Sequence, residues 1–414
     1  MRVLFLTPQF PYPPQKGTTL RNYNVMGGLA PRHEIDLLSF VETSPLASCP
    51  LNTVCRRIAT VPVPRRSNTR RAIDTLLSRW PDMGLRLWSI DFKQQLEAWL
   101  RDGEYDVIQI EGIELARYFS SNEKAQVRRG KAPLIVFDDH NAEYLLQQRI
   151  AQAEIASRGW TPGAIYSTIQ ARKLRGFERQ ICHTADRVIA VSNADADTLR
   201  QLDPTLTVHV IPNGVDTADY QRENIVPMEL PSNSIVFTGT MDFRPNVDGV
   251  LWFAREVWPL VNAAIPDAHF VIVGQRPHTR LNVLQDDPSI IITGSVEDAR
   301  PYIVSASVVV IPLRMGGGTR LKLLEAFALQ APIVSTTLGA EGFDVTNGRE
   351  LLLADEAGSF AQVIVELITD RVQAKRLGQA GRSLAVERYD WQRIVPMFEA
   401  VYDVSRYTPQ PSAE

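Results

Sequence analysis

The chain has 414 residues, a net charge of −3 and ordinary globular proportions of hydrophobic (44%) and charged (22%) residues. These values favour two or three folded domains and argue against intrinsic disorder. The small net charge gives no reason to expect nucleic acid as a partner. Three cysteines are too few for a disulfide framework and lack metal-ligand spacing, which fits a reducing compartment.

The amino terminus predicts a buried first strand. The run Met1-Arg-Val-Leu-Phe-Leu-Thr has one basic residue and a short apolar core before Pro8, which is less than a secretory signal needs. No uncharged apolar run approaches the roughly 20 residues that would span a bilayer. We therefore expect a cytoplasmic protein, either soluble or held at the inner face of the membrane.

Short apolar runs alternate with helical patterns along almost the whole chain. Many runs are continuous Val, Ile and Leu stretches, which is typical of parallel strands covered by helices on both faces. The predicted strands are Val3–Leu6, Ile35–Phe40, Ile58–Val63, Val107–Ile110, Leu134–Phe137, Val188–Val191, Val208–Ile211, Ile235–Thr238, Phe270–Val273, Ile290–Thr293, Val308–Ile311, Ile333–Ser335 and Leu351–Leu353. The predicted helices begin near Thr18–Arg21 and continue as Ile90–Arg101, Ile165–His183, Pro245–Val261, Thr319–Leu329 and Arg371–Val386. The repetition predicts an α/β protein with doubly wound parallel sheets.

The pattern restarts after the turn-rich segment Ile211-Pro-Asn-Gly-Val-Asp216. We predict an N-terminal Rossmann-like domain over 1–216, a second one over 217–388, a last helix over 389–407 and a tail over 408–414. The last helix carries Ile394, Phe398 and Tyr402 on one stripe. Ligands of such sheets bind outside the carboxyl ends of the strands, so the cleft between two facing domains is the expected site.

A glycine-rich segment follows the predicted strand Val308–Ile311. Three consecutive glycines, 316–318, precede an amphipathic helix that starts near Thr319. Glycines let backbone N–H groups approach a ligand, and the N-terminus of a helix favours anions. The segment therefore predicts a site for phosphate groups.

Charged residues on the first turns of this helix support the phosphate site. Arg320 and Lys322 are cations where acids are usually preferred, which indicates an external anion that compensates them. Glu325 is placed to meet a ligand hydroxyl or to pair with Lys322. The alternative is a glycine-rich turn followed by a solvated i,i+3 ion pair.

The same segment resembles a known family. The run Arg314-Met-Gly-Gly-Gly-Thr-Arg-Leu-Lys-Leu-Leu-Glu-Ala-Phe-Ala, followed by Ala331-Pro-Ile-Val-Ser-Thr, is similar to the donor-binding signature of the family 4 retaining glycosyltransferases of GT-B architecture. The likeness is greatest to the branch of bacterial exopolysaccharide and cell-surface polysaccharide pathways. Other segments match in order: Pro13-Pro-Gln-Lys-Gly17, Asp138-Asp-His-Asn-Ala-Glu143, Val188-Ile-Ala-Val-Ser192, Ile211-Pro-Asn-Gly-Val-Asp216 and Phe237-Thr-Gly-Thr-Met-Asp-Phe-Arg-Pro-Asn246.

The resemblance implies two Rossmann-like domains and transfer of a sugar from a nucleotide diphosphate donor, with retention of configuration. It also implies a glycan or polyprenyl-linked acceptor, no cofactor and no obligatory metal. Arg320 and Lys322 would hold the pyrophosphate and stabilise the departing nucleotide, and Glu325 would contact the ribose. The remaining implied contacts are the backbone of Gly316, Gly317, Gly318 and Thr319 with sugar hydroxyls, the loop at Gly17 with the donor phosphates, and His140 beside the sugar and the acceptor.

The sequence departs from the family pattern at two positions. Many members have two glutamates eight residues apart, and here Glu325 is the second while Gly317 stands in place of the first. Many also have a Gly-Arg-Leu segment, whereas this chain has Gly239-Thr-Met-Asp-Phe-Arg244. One phosphate-binding arginine is therefore absent from its usual place, and Arg244, Arg314 or Arg320 is the expected substitute.

His140 follows the strand Leu134–Phe137 within Asp-Asp-His-Asn, at a carboxyl end where sites form. Asp138 and Asp139 are expected to orient or charge the imidazole, or else to cap the next helix. Glu143 is expected to contact substrate or to cap that helix.

The segment between Cys55 and Arg79 contains seven arginines and one acidic residue, Asp74. A solvated face is one interpretation. The arginines stand beside the apolar Ile73, Leu76, Leu77 and Trp80. Cations next to exposed apolar and aromatic residues suit contact of Arg56–Arg79 with an anionic membrane.

Two further functions remain open at this stage. A nucleotide-sugar epimerase or phosphorylase would share the architecture, but no acid/base set or pyridoxal lysine is evident. A non-catalytic nucleotide-sugar binding subunit stays possible because of Gly317. No paired-carboxylate arrangement of a hydrolase is apparent.

Overall fold

A computed structural model describes residues 1–14, 17–42, 49–102, 104–119, 132–318 and 320–403, with the side chains of 157 and 158 excepted. The chain divides into two compact units. Unit 1 contains Met1–Pro212 and the chain from Ile394 onward, and unit 2 contains Asn213–Arg393. Each unit is built on one parallel sheet. Within the described ranges, no helix combines the length and the hydropathy that crossing a bilayer requires.

Unit 1 has a seven-stranded sheet in the order β3-β2-β1-β4-β5-β6-β7. Its strands are β1 (Arg2–Thr7), β2 (Glu34–Val41), β3 (Arg57–Pro62), β4 (Val107–Glu111), β5 (Leu134–Asp139), β6 (Arg187–Ala190) and β7 (Val208–Val210). Its described helices are α1 (Gly17–Leu29), α2 (Leu51–Val54), α3 (Asn68–Leu77), α4 (Asp82–Arg86), α5 (Ile90–Asp102), α6 (Glu143–Arg158), α7 (Pro162–Thr184), α8 (Asn193–Leu202) and a 3-10 helix over Ile113–Phe119. β1, β4 and β5 are almost wholly buried, as continuous apolar runs require.

Unit 2 has a six-stranded sheet in the order β10-β9-β8-β11-β12-β13. Its strands are β8 (Ser234–Thr238), β9 (His269–Val273), β10 (Ile290–Gly294), β11 (Val308–Ile311), β12 (Ile333–Ser335) and β13 (Leu352–Leu353). Its helices are α9 (Arg244–Trp252), α10 (Trp258–Ala264), α11 (Arg300–Ser305), α12 (Leu321–Ala328), α13 (Ala357–Thr369) and α14 (Arg371–Arg388), with 3-10 turns at Arg222–Asn224, Thr279–Leu284 and Leu338–Ala340. The final helix, α15 (Trp391–Tyr402), starts in unit 2 and ends in unit 1.

Both sheets have the same topological switch point, where the strand order reverses. In each, the strand order reverses beside the first strand, between β1 and β4 in unit 1 and between β8 and β11 in unit 2. Loops that leave the carboxyl ends of these strands diverge and open a crevice for ligands. The predicted site residues follow β1 and β5 in unit 1 and β8 and β11 in unit 2.

The predicted α/β class and the thirteen predicted strands are confirmed, with ends that differ by a residue or two. The predicted helix Pro245–Val261 is confirmed as helical over its whole length, but a π turn over Phe253–Val257 separates α9 from α10. Pro259, the second residue of α10, has no N–H to donate, so regular i→i−4 bonding cannot continue through it. The helix expected from Thr319 begins at Leu321. Thr319 itself and the tail 408–414 lie outside the described residues.

The stripe predicted on the last helix is confirmed. Ile394, Phe398 and Tyr402 are fully buried in α15. Phe398 lies under the guanidinium of Arg21 at 5.1 Å from the ring centroid. A Cβ added at Gly28 would lie 2.4 Å from a methyl of Val395, so only glycine allows α1 to pack this closely against α15.

Candidate functional site

The glycine segment of unit 2 connects a fully buried strand, β11, to α12. Gly316 has φ of 112° and Gly318 has φ of 75°, conformations that L-residues with a side chain rarely adopt. Arg320 is the N-cap residue of α12, and its Nη1 donates hydrogen bonds to the carbonyls of Gly317 and Gly318. The guanidinium therefore lies directly beneath the glycine loop.

Lys322 lies on the first turn of α12 and is the best-positioned cation of this segment. Its Nζ donates to Oδ1 of Asn246 at 2.9 Å and stands 4.1 Å from the ring centroid of Phe237. Burial and the neighbouring charge of Arg320 together lower the pKa of Lys322 to about 7, so an anion would restore its full charge. Asn246 is held in turn by its own amide, which donates to the carbonyl of Thr240 at 2.9 Å.

Gly239, at the end of β8, provides the space that this arrangement needs. A Cβ built there would lie 2.7 Å from both Nζ of Lys322 and Nδ2 of Asn246. Any other residue would displace the lysine. The β8, β11 and α12 segments therefore converge on one cation at the carboxyl edge of the sheet.

Glu325 does not form the solvated ion pair with Lys322 that the sequence left open. Its Oε1 accepts a hydrogen bond from the hydroxyl of Tyr220 at 3.2 Å, while Lys322 donates to Asn246. Burial raises the pKa of Glu325, although Tyr220 and Lys322 both oppose that shift. Tyr220 itself lies under the guanidinium of Arg300, 5.6 Å from the ring centroid.

The three arginines considered as substitutes have different environments. Arg320 contacts the glycine carbonyls, and Arg314 lies over the ring of Trp252 at 5.3 Å from its centroid. Arg244 is exposed at the first residue of α9. Arg320 is the only one of the three that the fold holds within the glycine segment.

His140 in unit 1 is bound by a residue that the sequence did not single out. Its Nε2 lies 2.7 Å from Oε2 of Glu111, the last residue of β4, which is buried. The pKa of His140 is raised overall: burial lowers it, but the hydrogen bond to Glu111 and the charge of Asp138 outweigh that effect. The sequence did contain one indication of this role: Glu111 ends a buried strand, just as Asp138 lies near the end of the neighbouring strand β5.

The aspartates before His140 keep only part of their expected roles, since the charge of Asp138 raises the pKa of His140. Asp138 binds Arg21 of α1 through both carboxylate oxygens, at 3.0 and 3.2 Å, and influences His140 only through its charge. Neither aspartate caps α6. Glu178 does so, because its carboxylate accepts from the backbone N–H groups of Glu143 and Tyr144.

Asp139 and Glu178 are buried carboxyls whose pKa values are both raised, chiefly by burial. Glu143 begins α6, and burial raises its pKa to about 7.

Gly17 was expected in a loop that contacts the donor phosphates. It is the exposed first residue of α1, and residues 15 and 16 before it lie outside the described residues.

Donor atoms of Glu111, Asp138 and His140 lie within 4.8 Å of one another. Both oxygens of Asp138 face the guanidinium of Arg21, and Glu111 accepts from His140. A cation at this point would oppose Arg21 directly. The described cluster is therefore organised as an ion-pair and hydrogen-bond network.

Two family models cover most of the chain. The model described as Glycosyltransferase Family 4 matches residues 16–219, and the model described as Glycosyl transferases group 1 matches residues 232–370. The chain belongs to glycosyltransferase family 4. The resemblance to this family, noted in the sequence, is thereby confirmed. The matched ranges contain His140 and the whole glycine segment.

Curated relatives of this family 4 chain are distant. An uncharacterized 44.6 kDa protein in the cps region of Klebsiella pneumoniae is 25% identical, over 40% of this chain and 45% of its own length. The Escherichia coli UDP-Gal:alpha-D-GlcNAc-diphosphoundecaprenol alpha-1,3-galactosyltransferase is 25% identical, over 50% of this chain and 56% of its own length. The chain therefore spans about half the length of these relatives.

Solved structures share the fold over nearly the full chain. A sucrose-phosphate synthase from Thermosynechococcus elongatus has a TM-score of 0.70 at 16% identity, covering 97% of this chain and 98% of its own. Anabaena Alr3699/HepE in complex with UDP and glucose has a TM-score of 0.64 at 15% identity, covering 98% and 100%. These likenesses confirm the GT-B class of two Rossmann-like parallel-sheet domains.

Proposed function

We propose that this family 4 chain is a retaining hexosyltransferase that takes a sugar from a nucleotide diphosphate donor. The observation that carries the proposal is Lys322, a half-buried cation at the N-terminus of α12 that is fixed by Asn246 beside the positive-φ glycines. Negative charge develops on the nucleotide as the glycosyl–phosphate bond breaks. A preorganised cation and a helix N-terminus stabilise that charge most effectively in a water-poor site.

The other donor contacts follow from the same helix. Glu325, oriented by Tyr220, would accept hydrogen bonds from the ribose, and the backbone of Gly316–Gly318 would contact sugar hydroxyls. Arg320 would act with Lys322 on the pyrophosphate. Both cations would face the leaving group, so we propose a transfer that requires neither a cofactor nor a metal.

The acceptor is proposed to be a glycan or a polyprenyl-linked sugar of an exopolysaccharide or cell-surface polysaccharide. Two relatives support this choice: one is encoded in a cps region, and one is named for a diphosphoundecaprenol-linked acceptor. We assign acceptor-side contacts to unit 1, with His140 as the residue beside the reacting sugar. The reaction would take place in the cytoplasm, at the inner face of the membrane.

Donor binding can be tested by thermal shift with UDP, GDP, ADP and CMP. A nucleotide at 100 times its Kd stabilises the folded state by about 2.7 kcal/mol, or roughly 5–10 °C in the melting temperature of a unit of this size. UDP is the first probe, because a protein of the same fold has been crystallised with it. We expect one diphosphate to raise the melting temperature of the wild type and to have no effect on Lys322→Ala. No shift with any nucleotide would contradict the donor site.

Turnover separates this proposal from a non-catalytic binding subunit. Nucleotide binding without transfer to any acceptor would support the binding subunit, for which Gly317 in place of a family glutamate is the relevant feature. Transfer with retention requires that the anomeric configuration of the product, measured by proton NMR, equals that of the donor.

The arginine-rich segment offers less free positive charge for contact with a membrane than its composition indicated. Arg56 and Arg57 both bind the buried carboxylate of Asp36, with shortest distances of 2.5 and 2.7 Å. Arg66 binds both Asp74 and Asp82. These arginines form ion pairs within unit 1. The positive charge available to an anionic surface is therefore smaller than the count of seven arginines indicates.

The apolar residues of α3 are the exposed part of this segment. Ile73, Leu76 and Leu77 are 46%, 75% and 83% exposed and form a helical i, i+3, i+4 stripe. Thr75, on the opposite face, receives a hydrogen bond from Gln170 of α7. We propose that this stripe, flanked by the exposed Arg70, contacts the acyl boundary of an anionic membrane.

Vesicle binding tests the membrane surface. Replacing both Leu76 and Leu77 by glutamate should lower co-sedimentation with vesicles rich in phosphatidylglycerol by roughly tenfold or more, because two apolar side chains leave the bilayer and two like charges approach it. The matched control is Val372→Glu, which introduces one charge at an 81% exposed apolar residue of unit 2. Equal binding by the α3 variant and the wild type would exclude α3 as the contact.

A further inference from the structure

A chain of buried hydrogen bonds connects the last helix to His140 through β4. The hydroxyl of Tyr402 donates to Oε1 of Gln109 at 3.1 Å, and Nε2 of Gln109 donates to Oε1 of Glu111 at 3.0 Å. Oε2 of Glu111 then lies 2.7 Å from Nε2 of His140. Tyr402, Gln109 and Glu111 are at most 1% exposed, so water does not compete with these bonds.

The strand geometry explains why this chain forms. Gln109 and Glu111 are two residues apart on β4, so their side chains lie on the same face of the sheet. Glu111 is also the register partner of Asp138 on β5, two residues before His140. The strand end therefore brings Glu111 to the imidazole without any contribution from a flexible loop.

The direction of each bond is determined by chemistry. A tyrosine hydroxyl near an amide oxygen donates to it, which leaves the amide N–H₂ of Gln109 to face Glu111. An ionised Glu111 only accepts, so Nε2 of His140 must carry a hydrogen. Nδ1 is then the ring atom left for substrate, and it makes no hydrogen bond to any residue in the described ranges.

We propose that Glu111 is a positioning residue for the transfer reaction, holding His140 in the tautomer that carries its hydrogen on Nε2 and presents Nδ1 to the reacting sugar. Gln109 and Tyr402 fix the Glu111 carboxylate, so α15 contributes to the geometry of this imidazole. The inference rests on the proposed function for the role of His140, but the positioning itself is a property of unit 1.

The charges that face His140 come from four elements. Glu111 on β4 and Asp138 on β5 favour the imidazolium, and Arg21 on α1 opposes it. Glu143 on α6 also interacts with His140 electrostatically. Glu111 is the one among them that makes a hydrogen bond to the ring. Removing its charge should therefore affect both the pKa and the tautomer of His140, whereas the others affect the pKa alone.

The test is an NMR titration of the full-length protein labelled on histidine, with the His140 resonance assigned by its loss in His140→Gln. In Glu111→Gln we expect the His140 pKa to fall by about one unit or more, and the neutral ring to populate both tautomers. In the same variant kcat should fall roughly 10- to 100-fold with little change in the donor KM, and the pH limb due to His140 should move to lower pH. Tyr402→Phe should shift the same resonance in the same direction by a smaller amount.

The matched control is Glu399→Gln. Glu399 accepts from Nε2 of His33 at 3.0 Å, so the variant makes the same chemical change in a second histidine–glutamate pair of unit 1. It should leave the His140 resonance and kcat unchanged. An unchanged pKa and tautomer of His140 in Glu111→Gln would overturn the positioning role, whether or not the wild type transfers sugar. If Glu111→Gln shifts the His140 pKa as expected but the wild type binds no nucleotide and transfers no sugar, the positioning role stands and the proposed function is contradicted.

Discussion

Replacement of Lys322 by alanine should lower kcat for sugar transfer by roughly 10²–10³-fold, since removal of one preorganised charge-stabilising group typically has an effect of that size. The lysine is fixed by Asn246 and lies where the helix dipole already favours an anion. The variant loses the ammonium group but keeps the helix, because alanine is the strongest helix former. Initial-rate kinetics with saturating donor measure the effect.

The control for this variant is Lys375→Ala. Lys375 is exposed on α14 of the same unit, so its loss removes one positive charge without touching the site. Both variants should have melting temperatures near that of the wild type. Full activity of Lys322→Ala would remove the phosphate assignment from α12, and equal losses in the two variants would indicate a general charge effect.

Lys322 also predicts a pH dependence of nucleotide affinity. Because its pKa is lowered to about 7, the ammonium is half charged near pH 7, almost fully charged at acidic pH and increasingly neutral above pH 7. Above about pH 7, binding of a diphosphate must take up a proton, so affinity should fall by up to about tenfold per pH unit. Calorimetry in buffers of different ionisation enthalpy measures the proton uptake. Lys322→Ala should take up none.

The second large effect is expected on stability. Arg21→Ala should lower the free energy of unfolding of unit 1 by about 3–5 kcal/mol, because it leaves the buried carboxylate of Asp138 without its partner. The pair is 2% and 0% exposed, and Arg21 also donates to the carbonyls of Ile211 and Pro212. Hydrogen exchange measured by mass spectrometry on peptides from α1 and β5 reports this unit separately from unit 2.

Two comparisons isolate the cause of that loss. Arg2→Ala removes an exposed pair with Glu34, 32% and 58% exposed, and should change stability by less than about 1 kcal/mol. Arg21→Ala combined with Asp138→Asn should be less destabilised than Arg21→Ala alone, because no buried charge remains unpaired. Equal protection of α1 and β5 in Arg21→Ala and the wild type would mean that the pair carries no net stability.

The arginine-rich segment shows why composition alone overstates the positive charge that a surface presents. Seven arginines in one segment indicated a basic surface, but Arg56 and Arg57 bind Asp36, which lies about 20 residues earlier on β2. Leu76 and Leu77, which the sequence analysis placed beside the arginines at a membrane contact, are exposed on α3. Which side of α3 faces solvent depends on its packing against α7, and no local pattern contains that information.

The sequence by itself determined the α/β class, the thirteen strands and the glycine segment before α12, because each depends on neighbours in the chain. Buried parallel strands need continuous apolar runs, and the glycines, the helix start and Lys322 lie within a few residues of one another. Only the tertiary structure decided which side chains meet. Glu111 and His140 are 29 residues apart, Asn246 and Lys322 are 76 apart, and Gln109 and Tyr402 are 293 apart. A hydrogen bond requires atoms within about 3 Å, and for such distant residues that approach is set by sheet register and helix packing.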